Sequence, residues 1–153
     1  MESGNGEDNK QKYILMDTVK RILLWIWQFP QNIVALICML FIGRKNYRTE
    51  MIGYVKSVIT KDIASGYSLG DYIFIKPWYS DITVRHEYGH CIQSRIFGPL
   101  YLIVIGLPSL IHNVLHWWLK GLGVIWDYYS FPIEHWADVL GNKYMPVHEV
   151  EAR

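Results

Sequence analysis

Two long stretches without a formal charge constrain this chain more than any other feature. Residues 22–43 (ILLWIWQFPQNIVALICMLFIG) and 96–119 (IFGPLYLIVIGLPSLIHNVLHWWL) contain no Asp, Glu, Lys or Arg. Either is long enough to cross a hydrocarbon core as a helix, for which about 20 residues at 1.5 Å rise suffice. In a chain of 153 residues, two such blocks leave too little polar surface to cover them, so a lipid bilayer accounts for them better than a soluble core. The rest of the composition agrees. Charged residues make up only 19%, below the roughly 25% of ordinary soluble domains. Seven tryptophans and eleven tyrosines suit a membrane boundary. A net charge of +1 argues against a nucleic-acid partner, and two cysteines exclude a disulfide framework.

Neither block reads as an uninterrupted span. Gln28, Gln31 and Asn32 cluster around Pro30 in the first, which suits a spanning helix, a kinked one or a pair lying in the interface. Gly98-Pro99 and Gly106-Leu107-Pro108 interrupt the second, as in a broken or re-entrant segment, and Trp117-Trp118 before Lys120 resembles an interfacial belt. Basic residues flank the first block on both sides and set no orientation. Three regions are expected: a polar tail over 1–20, disordered to about residue 12 and unlike a cleaved secretion signal; a membrane or interfacial helix over 21–43; and a compact domain over 44–153 that includes the broken apolar segment 96–119.

Within that domain, residues 51–60 and 67–75 are rich in β-branched and aromatic side chains and are expected to form a short β-hairpin or two edge strands. A helix is expected from Ser80 or Asp81 to the Gly98-Pro99 stop. Another is expected from about Pro132 to Leu140, with Ser130 near its N-cap and Gly141 past its end. The fold class is therefore α+β, mostly helical.

The chemistry is concentrated in His86-Glu87-Tyr88-Gly89-His90, inside the first of these helices. Residues i and i+4 stack on one helical face, so two imidazoles can reach a single metal ion. Zn²⁺ takes imidazole nitrogen readily and keeps a fourth position for water in catalytic sites. Glu87 lies beside His86, where it can act as general base on that water. Downstream, Glu134 offers a third ligand on the second helix. Asp138, one turn later, can hold the outer N–H of a ligating histidine. The plainer reading of the pair is an exposed acidic face, which is weaker in a chain with so few charges.

HEYGH followed by Glu134-His135-Trp136-Ala137-Asp138 resembles the gluzincin metallopeptidases, above all the membrane-bound kind typified by the bacterial heat-shock protease and the CAAX prenyl endopeptidase. The resemblance implies a zincin-like active-site helix, zinc held by His86, His90 and Glu134, Glu87 as base, and Asp138 behind the ligands. It also implies a peptide or protein substrate, laid along an edge strand for which 68–75 is the candidate. The wider run HEYGHCIQS, GPLYLIVIGLPS, YYSFPIEHWADVLG is similar to small bacterial membrane proteins. The chain is shorter than the large membrane peptidases, and no oxyanion-stabilising residue stands out; Tyr128 and Tyr129 are candidates.

Other residues carry plainer expectations. His112 and His116 lack an adjacent acid and read as membrane-boundary marks or helix contacts. His135 should point off the metal face, and Cys91 should be a buried thiol. Gly89, costly within a helix, implies close approach by another segment. Arg85 and Arg95 read as solvated or headgroup-facing, or as binders of a substrate carboxylate. The expected activity is zinc-dependent peptide hydrolysis at a membrane. The alternatives are a non-catalytic membrane protein with a structural zinc, and a membrane interaction module bearing the motif by coincidence.

Overall fold

The computed structural model describes residues 4–124 and 131–146. Among these residues, five helices, α1 (Gly4–Trp27), α2 (Phe29–Ile42), α3 (Asp81–Phe97), α4 (Leu107–Gly121) and α5 (Pro132–Tyr144), accompany four short strands. These are β1 (Tyr47–Ile52), β2 (Val55–Thr60), β3 (Tyr67–Leu69) and β4 (Tyr72–Ile75), in the order β1-β2-β4-β3. The protein is α+β and mostly helical.

Each apolar run expected as a strand contains or abuts a turn, so there are two hairpins and not one. Gly53 and Gly70, both at positive φ, turn β1 into β2 and β3 into β4. The hairpins join through a parallel pairing of β2 with β4, which places both in the middle of the sheet and leaves β1 and β3 at its edges. Central strands are covered on both faces, which is why VKSVIT and YIFI are nearly continuously buried and do not alternate. One face carries Val55, Ile59, Ile73 and Ile75 against Val84, Tyr88 and Cys91 of α3. The other carries Val58, Tyr72 and Phe74 against Ala35, Cys38, Met39 and Ile42 of α2.

This arrangement revises the reading of the first apolar block. It is not one helix: α1 and α2 meet at Gln28 with a bend of 84°. The bend is held by polar groups that a simple span could not satisfy. Gln28, Gln31 and Asn32 are all fully buried. Gln28 Nε2 donates to Asp71 Oδ1 (3.1 Å), Gln31 Nε2 to Ser94 Oγ (2.8 Å) and the Gly98 carbonyl (2.9 Å), and Asn32 Oδ1 accepts from the Asp71 amide (2.9 Å). The expected tail over 1–20 is likewise helical from Gly4 onward and continuous with the apolar block. After Gly6, no proline or glycine interrupts it before Trp27.

The second block breaks where expected at Gly98-Pro99, in a single 3₁₀ turn. At Gly106-Leu107-Pro108 it does not break. A π-helical turn over Leu102–Gly106 absorbs the missing proline N–H and runs straight into α4. The resulting continuous helix, Leu102–Gly121, is long and apolar enough to cross a membrane, and only 11% of it is buried.

Candidate metal centre

The geometry of the site begins with how α3 and α5 approach each other. Ser80 caps α3, accepting from the Thr83 amide (3.4 Å), and Arg85 pairs with Asp81 one turn on (2.6 Å). Pro132 opens α5. A β-carbon built on Gly89 would fall 1.9 Å from the Ala137 carbonyl oxygen, and one built on Gly141 would fall 1.9 Å from that of Arg85. The two glycines thus let the helices touch backbone to backbone, as Gly89 alone suggested. Gly141 lies inside α5 and not past its end, because it serves this contact and terminates nothing.

At that seam His86, His90 and Glu134 converge, with one ligand atom of each within 4.8 Å of the others, and all three are buried. Glu134 Oε2 lies 3.1 Å from His86 Nε2 and 3.3 Å from His90 Nε2. Behind His86, Nδ1 lies 2.8 Å from Asp138 Oδ1. An ionised carboxylate only accepts, so Nδ1 carries a hydrogen, and Nε2 is the nitrogen left to share a proton or a cation with Glu134. Two imidazole Nε2 atoms and a carboxylate oxygen therefore face one another across a space that a proton or a cation can bridge. The donor set fits a divalent metal, and these three residues can hold one.

The electrostatics follow from the same contacts. Burial disfavours a charge on His86, but the hydrogen bond to Glu134, the Glu87 charge and the bond to Asp138 outweigh it and push its pKa to about 9. Burial likewise works against ionised Glu134, yet the two histidines and Ser109 hold its carboxyl well below the usual range. Ser109 Oγ donates to Glu134 Oε1 at 2.5 Å, from the second turn of the long apolar helix. Glu87 is buried beside the cluster without belonging to it. Burial raises its pKa, opposed by His90, His86 and the Ser68 hydroxyl, which donates to Glu87 Oε2 (3.0 Å). Ser68 lies on edge strand β3; of the expected substrate strand 68–75, only this part is an edge, since β4 is internal.

Every residue singled out on α3 and α5 for metal binding is thus brought together. His135 is exposed and Cys91 fully buried, as expected. His112 is buried and stacks on Phe131 (4.4 Å), a contact between α4 and the start of α5. Arg95 departs from expectation: it is neither solvated nor headgroup-facing but pairs with Asp71 (3.1 Å) and lies 3.0 Å over the Tyr54 ring. Tyr128, Tyr129 and Ser130 lie outside the described residues. Sequence reasoning missed Ser109 and Gln93. Gln93 is fully buried, with Oε1 2.7 Å from His90 Nδ1. No protein family, curated protein or solved structure matches the chain.

Proposed function

We propose that the protein is a membrane-associated metallopeptidase in which His86, His90 and Glu134 hold zinc and Glu87 is the general base. The observation that carries this reading is the position of Glu87, buried beside the three-donor cluster yet left out of the ligand set and held by Ser68 from an edge strand. Zinc, when bound, supplies Lewis-acid polarisation of the scissile carbonyl. Glu87 takes a proton from the attacking water and returns it to the leaving amine, a role suited to a carboxylate whose pKa burial has raised. Asp138 fixes the His86 tautomer, Ser109 orients Glu134, and β3 offers an edge along which a peptide can pair. The substrate is a peptide or protein, and the largely uncovered helix Leu102–Gly121 supports a lipid bilayer as the protein's setting.

A purely structural ion is the weaker reading. Gly89 and Gly141 already join α3 to α5 by backbone contact, so an ion is not needed to pin them. The test is metal content of detergent-purified protein, with peptide hydrolysis measured for wild type and Glu87→Gln. About one zinc per chain, lost in His90→Ala and Glu134→Ala, with hydrolysis abolished in Glu87→Gln while zinc is retained, is the expected result. Undiminished hydrolysis by Glu87→Gln would refute the assignment.

A further inference from the structure

We infer that Gln93 is a positioning residue of the metal centre: it sets the tautomer of His90 and ties that ligand to the backbone carrying Glu134. The inference rests on the metal reading above and concerns a residue outside the HEYGH and Glu134–Asp138 motifs.

The argument is one of donors and acceptors. Gln93 is fully buried, so its amide cannot exchange partners with water. Its Nε2 lies 3.0 Å from the Ile133 carbonyl oxygen, which can only accept; the amide is therefore oriented with N–H₂ towards Ile133. The opposite end, Oε1, must then face His90, 2.7 Å from Nδ1. A carbonyl oxygen only accepts, so Nδ1 of His90 carries a hydrogen, and the hydrogen shared across the 3.3 Å between Nε2 and Glu134 Oε2 is the one a metal would displace. Asp138 does the same for His86 with a carboxylate; Gln93 does it for His90 without adding a charge. Because Ile133 precedes Glu134, this one side chain grips a ligand on α3 and the peptide next to a ligand on α5. Three residues after His90 on a helix, Gln93 shares its face, and a shorter amide would reach only one of the two partners.

The experiment compares wild type, Gln93→Met and Gln93→Glu, each checked for folding by circular dichroism. Zinc affinity is measured by chelator competition, and the His90 tautomer of the metal-free protein by ¹⁵N NMR of the imidazoles. Methionine keeps the shape and removes both hydrogen bonds. It is expected to weaken zinc binding roughly 10- to 100-fold and to release His90 from the Nδ1–H form. Glutamate keeps an acceptor facing His90 and is expected to preserve the tautomer and hold zinc within about tenfold of wild type. Wild type that binds zinc with an affinity and His90 spectrum matched by Gln93→Met would overturn the positioning role alone. A wild type that binds no zinc, with His90 still in its Nδ1–H form, would overturn the metal reading and with it this role. Equal loss in Gln93→Glu and Gln93→Met would show that the grip on His90 is not what matters, and would also overturn the inference.

Discussion

Replacing Gly89 with alanine would set a methyl carbon 1.9 Å from the Ala137 carbonyl oxygen, 2.6 Å from its carbon and 2.9 Å from its Cα. The obstacle is backbone inside a helix, so no side-chain rotation relieves it. Ordinary contact begins near 3.4 Å, and α5 would have to retreat from α3 by roughly 1.5 Å. Alanine favours the helix by about 1 kcal/mol over glycine, while overpacking typically costs about 1–3 kcal/mol and more against rigid backbone. A net loss on the order of 1–2 kcal/mol is expected in urea unfolding. The larger effect falls on metal binding. His86 and His90 ride on α3 and Glu134 on α5, and ligand distances tolerate only about 0.2 Å of error. Zinc affinity is therefore expected to fall by at least about tenfold. Gly121→Ala is the control: nothing lies within 4 Å of its added methyl, and both quantities should stay near wild type. Gly89→Ala with wild-type stability and wild-type zinc affinity would refute the idea that backbone contact sets the ligand spacing.

Further expectations follow from the charges around the site. Folding raises the His86 pKa from 6.5 to about 9, so its contribution to stability is complete below pH 6.5 and is lost as pH rises through about 9. The chelated protein should lose on the order of 3 kcal/mol across that window. With zinc competing for the same nitrogen, the loaded protein should gain stability instead. Stability of the chelated protein that stays flat or rises between these pH values would contradict this. Ser68→Ala removes a donor that favours ionised Glu87. The acid limb of the pH–rate profile should move to higher pH with the plateau little changed; an unmoved limb would show that the Ser68 bond does not tune the base.

How much of this was legible in the sequence depends on the range of the interaction. HEYGH is local: i, i+4 geometry alone brings two imidazoles to one face, and α3 delivers them there. Glu134 and Asp138 stood out because acidic pairs are scarce in this chain and follow a motif that needs a third ligand. Gln93 and Ser109 carried no such signal. A glutamine on a helix and a serine in an apolar run look like any others until α5 is folded against them. The polar cluster around Pro30 was visible as an obstacle to a simple span. Its reason lay at Asp71, Ser94 and Gly98, some 40 to 70 residues away along the chain. The hairpins were misjudged for a related cause: β2 and β4 are sandwiched between α2 and α3, which erases the alternation by which a strand is counted.

The right-angled elbow has a mechanical meaning. Apolar side chains of α1 stand exposed from Tyr13 to Trp27, so the helix is an arm whose load enters the body at its end. There the Trp27 indole donates to the Arg95 carbonyl (3.0 Å), Gln28 takes hold of Asp71, and Gln31 holds Ser94 and Gly98. These attachment points are themselves joined, since Arg95 pairs with Asp71 (3.1 Å). Asp71 sits in the turn that follows Ser68 on β3, and Ser94, Arg95 and Gly98 form the far end of the helix that carries His86 and His90. A torque on α1, whatever surface grips it, therefore enters at one polar knot that reaches both the strand behind the base and the helix bearing the ligands.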